Sequence, residues 1–232
     1  MSNTVAIWQK ELKGYFATPM GAVLLVTSAI FFLPAVYTAG NELLRLRLLV
    51  AASVLTRFHP SRELASHPVL SVVSFARLLA MYIIPLITMR LFAEEKQART
   101  IELLLTSPIS ETDIVLGKWF AGLFLYLLII GLGALEFAIS PLVKRDWATV
   151  LIAYAALVSI GAGLLAVGEC ISTFTSHQLS AAVATLLVSV GVWRYFNSGV
   201  PHVADLALCV LLMLLGWWIT LRSIRARMPG TS

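Results

Sequence analysis

The sequence predicts an all-α, polytopic membrane protein, and three observations carry that prediction. Of 232 residues, 59% are hydrophobic and only 12% are charged, with a mean hydropathy of +0.89; a soluble domain of this length needs far more charge to keep its surface wet. The apolar residues gather into six long runs, and a helix rising about 1.5 Å per residue crosses about 30 Å of hydrocarbon with roughly twenty of them. None of the runs alternates polar and apolar residues as a barrel strand does, which leaves helices as the spanning form.

Ahead of the first run, Val5, Trp8, Leu12, Tyr15 and Phe16 fall on one helical face, and Gln9, Lys10, Lys13 and Gly14 on the other. The pattern predicts an amphipathic helix within residues 1–19, lying in the membrane interface with Trp8 at headgroup depth. Thr18-Pro19 ends it, because a proline disfavours helical geometry in the residue before it. The six predicted spans are Met20–Ala39, Val69–Phe92, Val115–Ile139, Trp147–Gly168, Leu179–Tyr195 and Val203–Leu221. The first begins late and is long enough to cross, so an uncleaved anchor is expected rather than a cleaved leader. Pro34 and Pro85 predict kinks whose freed carbonyls neighbouring helices must take up. In Gly40–Pro68, the apolar stretch Leu43–Leu55 is interrupted by Arg45 and Arg47; it predicts a helix on the outer surface, with a seventh, partial span as the alternative. No internal repeat is visible, which argues against an inverted-repeat transporter.

Lysine and arginine set the expected orientation. With both termini cytoplasmic, Lys10, Lys13, Arg90, Lys96, Arg99, Lys118, Arg222, Arg225 and Arg227 fall inside, whereas Arg45, Arg47, Arg57, Arg62, Lys144 and Arg145 fall outside. The cluster Arg222–Arg227 after the last run gives the best local support. These basic residues sit at the ends of apolar runs, an arrangement suited to lipid headgroups and not to nucleic acid.

The stretch Glu94–Trp119 is the exception to the greasy composition, with eight charged side chains. Ile101, Leu104 and Leu105 are spaced i, i+3, i+4, so Thr100–Leu105 predicts a short helix with an apolar stripe and Thr100 as its N-cap. Pro108 stops it. Ser110 and Asp113 then have capping-box spacing immediately before the next span. The unit reads as a compact helical corner, residues 93–114, protruding from the bilayer. A solvated connecting loop is the plain alternative, but leucines on a short exposed corner want a partner surface or the membrane.

These residues carry a family resemblance. Pro85 to Lys96 (PLITMRLFAEEK), then Thr100-Ile101-Glu102-Leu103-Leu104, Thr106-Ser107-Pro108 and Gly117-Lys118, resemble the signature of type-2 ABC exporter permeases, nearest to the gliding-motility-type branch. Trp8-Gln9-Lys10-Glu11-Leu12, Tyr15-Phe16 and Thr18-Pro19 are similar to the N-terminal interface helix of that family. The likeness runs from the N-terminus to Trp119; beyond it stand only hydropathy and Gly199-Val200 with Asp205. Two positions depart from the branch. Arg99 stands where it usually has glycine before Thr-x-Glu, and the connection from Tyr195 to Val203 is shorter than a full re-entrant hairpin.

The resemblance implies one transmembrane permease domain over residues 1–232, an exporter subunit of the bacterial inner membrane. It implies a second permease copy, separate ABC ATPase subunits that carry ATP and Mg²⁺, and room for extra subunits. No cofactor is expected in this chain itself. It makes Glu94, Glu95, Lys96, Thr100, Glu102, Leu103, Leu104, Leu105 and Pro108 the ATPase-coupling surface, and Trp8, Lys10, Glu11 and Tyr15 the working residues of the interface helix. A coupling element needs an apolar knob seated in a partner's groove and flanking charges that fix its register. Leu103 to Leu105 suit the knob, and Glu94, Glu95, Lys96 and Glu102 the charges.

The chain is not expected to be an enzyme. A phosphate-cradling loop needs G-x-x-x-x-G-K-[ST], whereas Gly117-Lys118 is followed by Trp119 and preceded by Thr112 at the first glycine's place. His59, His67, His177 and His202 do not cluster at metal-ligand spacing, and Cys170 and Cys209 stand apart within or beside apolar runs, as small buried residues do. Ionisable residues at membrane depth are costly and default to functional candidates. Arg77, Arg90 and Glu136 are therefore candidates for a pathway or gate, with a structural ion pair as the alternative for Arg77. Glu136 and Glu169 both stand near span ends, where a carboxylate can reach the interface. Two other classes remain open at this point: a stand-alone secondary transporter or channel, and a membrane assembly scaffold.

Overall fold

A computed structural model describes residues 3–18, 21–30, 68–97, 109–139, 147–195 and 203–226. Seven helices are named here in chain order: α1 (Asn3–Ala17), α2 (Pro68–Leu91), α3 (Ala93–Gln97), α4 (Glu111–Ile139), α5 (Trp147–Phe174), α6 (Gln178–Tyr195) and α7 (Val203–Arg225). A further apolar helix, Gly21–Ile30, follows α1. The described residues are all-α.

Four helices are long and apolar enough to cross a membrane: Ala76–Gln97, Glu111–Leu135, Val150–Phe174 and Ala207–Arg225. They match the second, third, fourth and sixth runs of the sequence. The fifth run forms α6, whose described apolar part, Gln178–Val192, is shorter than a crossing. Of the first run only Gly21–Ile30 is described. Pro34 and the Gly40–Pro68 segment, apart from Pro68 itself, lie outside the described residues.

The last helix runs to Arg225, past the predicted Leu221, and two other boundaries differ from the sequence reading for a physical reason. The fourth helix does not stop at Gly168 but continues to Phe174. Gly168 serves packing: a Cβ there would stand 2.7 Å from the Thr88 side chain. The third starts at Glu111, four residues before its apolar run. The predicted cap explains this, since Ser110 Oγ accepts the Asp113 amide at 3.2 Å and donates to Asp113 Oδ2 at 2.6 Å.

Inside α2, Pro85 offers no N–H to the carbonyl of Met81, and Ser189 Oγ of α6 stands 3.5 Å from that oxygen. A neighbouring helix thus addresses the freed group, as the sequence reading requires. The core runs through α2, α4 and α5, with Ile84, Ile87, Leu125, Tyr126, Ile129, Leu164 and Leu165 all buried. Glycines let the helices approach closely. At Gly216 of α7 a Cβ would lie 2.8 Å from the Ala166 backbone of α5, and at Gly161 it would enter the Tyr126 ring. Tyr126 is fully buried and donates from its hydroxyl to the Leu157 carbonyl at 2.9 Å. Outward-facing leucines and valines such as Leu151, Leu179, Leu187 and Val210 are exposed, as befits a surface turned to hydrocarbon.

The C-terminal ends of α2, α5 and α7 and the N-terminal end of α4 meet at one end of the bundle, together with α3. A second, smaller apolar cluster, Ile7, Leu91, Phe92, Ile114, Val115 and Ile224, closes that end.

Candidate functional site

The short helix α1 is fastened along α4. Its inward stripe is Thr4, Ile7, Glu11 and Tyr15, and Phe16 is 49% exposed. The side facing the bundle is thus rotated from the apolar face read in the sequence, Val5–Trp8–Leu12–Tyr15–Phe16. An amphipathic stripe serves lipid and protein contacts alike and does not say which side faces which. Gly117 permits the close approach: a Cβ there would stand 2.8 Å from Ile7. Trp8 meets Phe124 edge-on with ring centroids 5.7 Å apart. At the other end of α1, Tyr15 donates from its hydroxyl to the Ile87 carbonyl at 3.0 Å, and Arg90 reaches Thr18 Oγ1 at 2.9 Å while lying 5.5 Å from the Tyr15 ring centroid.

Lys118 of α4 stands at the centre of this end. Its side chain is 1% exposed, and its Nζ lies 2.8 Å from Glu11 Oε1 of α1 and 3.0 Å from Glu95 Oε1 of α3. Lys10 approaches Glu95 from the outside at 3.8 Å. The ammonium also lies 5.1 Å from the Phe92 ring centroid, at the junction of α2 and α3. One buried cation therefore ties three helices, two of which are short pieces outside the long bundle. Removing either carboxylate leaves the ammonium with one partner fewer in a place that water barely reaches.

A second set of bonds fastens α3 to the end of α5. Ser172 Oγ accepts the amides of Phe92 and Ala93 at 3.1 and 3.0 Å, the two amides at the turn between α2 and α3. Lys96 donates to the carbonyls of Thr173 and, at 3.1 Å, Thr175, so a cation caps the negative end of the α5 dipole. Two further ties complete the end: Thr4 Oγ1 donates to Asp113, and Arg225 Nε donates to Glu111 Oε2 at 2.5 Å.

Of the sequence-predicted coupling residues, Glu95 comes together with Glu11 and Lys10 of α1 through Lys118, whereas Lys96 turns to the end of α5. Trp8 and Tyr15 also contact the bundle. Thr100, Glu102, Leu103, Leu104, Leu105 and Pro108 lie outside the described residues, as do the Glu94 and Glu136 side chains. Arg77 is buried in α2, roughly 20 Å along the helix from this end. It belongs elsewhere in the bundle. Glu169 differs from its expected place at the interface: it is fully buried, because α5 runs on beyond it and α3 covers that end. Lys118 and Ser172 carry the site without having been singled out for it. For Lys118 the signal was present, since the predicted third span begins at Val115 and puts the lysine inside it. Among the described residues no group of three or more His, Cys, Asp or Glu side chains is placed to hold a metal ion.

Long apolar helices tied at one end by two short helices and a buried ion cluster define a multi-pass membrane protein. The family model for the ABC-2 family transporter protein matches residues 5–209, and the chain belongs to that family. No curated protein matches it significantly. Membership makes the chain the membrane permease component of an ABC transporter, a family that works with ABC ATPases.

Proposed function

We propose that this chain is the transmembrane half of an exporter that pairs with a second permease copy and is driven by two separately encoded ATPase subunits, which carry the ATP and Mg²⁺. In this reading six segments cross the membrane, the first and fifth runs included. The polar end, both termini and the 93–114 corner face the cytoplasm of a bacterial inner membrane, and the ATPase seats on that corner. The likeness of Pro85–Pro108 and Gly117-Lys118 to the gliding-motility-type branch supports placing it there. The Arg77 guanidinium, well away from the polar end, is the candidate for the substrate path.

The observation that best supports the coupling role is Lys118 held between Glu11 and Glu95. A load applied beyond Gln97 reaches α3 first. From α3 it passes to α5 through Ser172 and Lys96, and to α4 and α1 through Lys118. Directional charged contacts suit this task, because they resist sliding more than an apolar contact of similar area does. The corner thus moves α1 and the spanning helices together, which opens and closes the cavity between the two copies.

Leu104→Asp tests the reading. The variant is expected to insert and pair normally, to retain less of the ATPase on co-purification, and to lower ATP turnover of the reconstituted complex about tenfold, on the order of 1.4 kcal/mol of coupling. Unchanged assembly with unchanged turnover contradicts it.

A further inference from the structure

We infer that Glu169 is a reserve counter-ion for Lys118, taking over the ammonium when α1 and α3 are displaced. Glu169 is fully buried in the last turns of α5. Neither of its carboxyl oxygens has a hydrogen-bond partner among the described residues. The charges that act on it are Lys118 and Glu11. Phe92 links the two places: its ring centroid lies 5.1 Å from the Lys118 ammonium, and its amide is bound by Ser172, one turn beyond Glu169; among the described residues Glu11 and Glu95 engage the ammonium and Glu169 does not. A buried carboxyl without a partner is costly, and an apolar side chain fills such a position without that cost. An unpartnered acid at the same end of the bundle as a lysine that two others hold points to a second arrangement in which it is used.

Its place in the chain says when. Glu169 stands one turn before Ser172 and Thr173, the residues of α5 that hold the start of α3. Glu11 and Glu95 ride on the two short helices, whereas Glu169 sits on a long one. A displacement that draws Glu95 outward with α3, or Glu11 with α1, strips a partner from an ammonium that is 1% exposed. Glu169 stays behind within the bundle. In the displaced state an N–H···O bond from Lys118 to Glu169 replaces the bonds to the departing carboxylates, which pass into water. Any proton on the Glu169 carboxyl is released to water as the ion pair forms. The cluster then has two paired arrangements instead of one paired and one broken, the property a two-position element requires.

The inference rests on the coupling reading above, but its first test needs no ATPase. Thermal unfolding of the full chain in detergent is compared in two backgrounds, the native chain and Glu11→Gln/Glu95→Gln, each with and without Glu169→Gln. In the native background Glu169→Gln is expected to shift the midpoint by no more than about 1–2 °C. In the double background it is expected to lower the midpoint by about 5 °C or more, because it removes the last carboxylate available to Lys118. Glu169→Asp should retain most of the stability there. Equal shifts in the two backgrounds overturn the proposal. If the double variant does not accumulate in membranes, the single Glu95→Gln background gives the same comparison, with the same non-additivity expected and additivity again overturning it. In the assembled transporter Glu169→Gln is expected to slow ATP turnover about tenfold and Glu169→Asp to restore it; unchanged turnover in Glu169→Gln also overturns the proposal. Failure of any ATPase to associate with the native chain defeats the coupling reading alone and leaves the unfolding comparison decisive.

Discussion

At the polar end, α1, α3 and α4 meet through Lys118, Glu11 and Glu95. Deeper in the bundle, α5 meets α7 and α2 through glycines, with Gly216 against the Ala166 backbone and Gly168 against Thr88. The two regions differ in the balance of ties: glycine packing prevails in the second, whereas in the first the ion cluster adds to the close approach of α1 at Gly117. Charged contacts are strong, directional and capable of exchange; close backbone packing is short-ranged and tolerates no added volume. The comparison teaches where motion belongs. Short helices tied by ions can change partners, while long helices interlocked at glycines move as one body.

Predictions follow from breaking each region separately. The largest effect is expected from Lys118→Met, which takes the buried ammonium away from Glu11 and Glu95 and leaves the exposed Lys10 3.8 Å from Glu95. Loss of one member of a buried pair costs about 3 kcal/mol, reduced here because both carboxylates keep some contact with water. Hydrogen exchange should show α1 and α3 loosened first, with α5 and α7 unchanged. Gly216→Val attacks the other region. Overpacking there is expected to cost about 1–3 kcal/mol and to lower the yield of monodisperse protein, with exchange increasing along α5 and α7 but not along α1. Tyr126→Phe removes the hydroxyl bond to the Leu157 carbonyl and is expected to cost about 1 kcal/mol in thermal unfolding. The smallest effect belongs to Arg225→Gln. Its partner Glu111 is part-exposed and Arg225 itself is 61% exposed, so a loss of about 0.5 kcal/mol or less is expected, vanishing at high salt.

What the sequence disclosed divides along the same line. Local patterns were legible: the Ser110–Asp113 cap, the α1 helix ending near Thr18-Pro19, the long apolar helices and the proline inside α2 all depend on residues a few positions apart. The ion cluster was not, because its ties join residues far apart in sequence. Glu11 and Lys118 are 107 positions apart, and no periodicity within α1 or α4 announces the other. Glu169 was assigned to an interface since it stood next to Gly168, which was read as a helix end. The glycine instead makes room for Thr88, and the helix carries the acid into a covered place. Which face of α1 meets the bundle was not legible for a related reason: apolar residues mark lipid and protein contacts alike, and it is Glu11, a charged residue, that points to the bundle.

The central claim is that the charged knuckle at α3 lies on the side of the membrane where a motor protein can reach it. Gln97 is exposed at the end of α3. A single cysteine placed there as Gln97→Cys, with Cys170 and Cys209 replaced, can be labelled with a membrane-impermeant maleimide. The account predicts labelling in inverted vesicles and none in intact cells. Labelling from outside intact cells contradicts it.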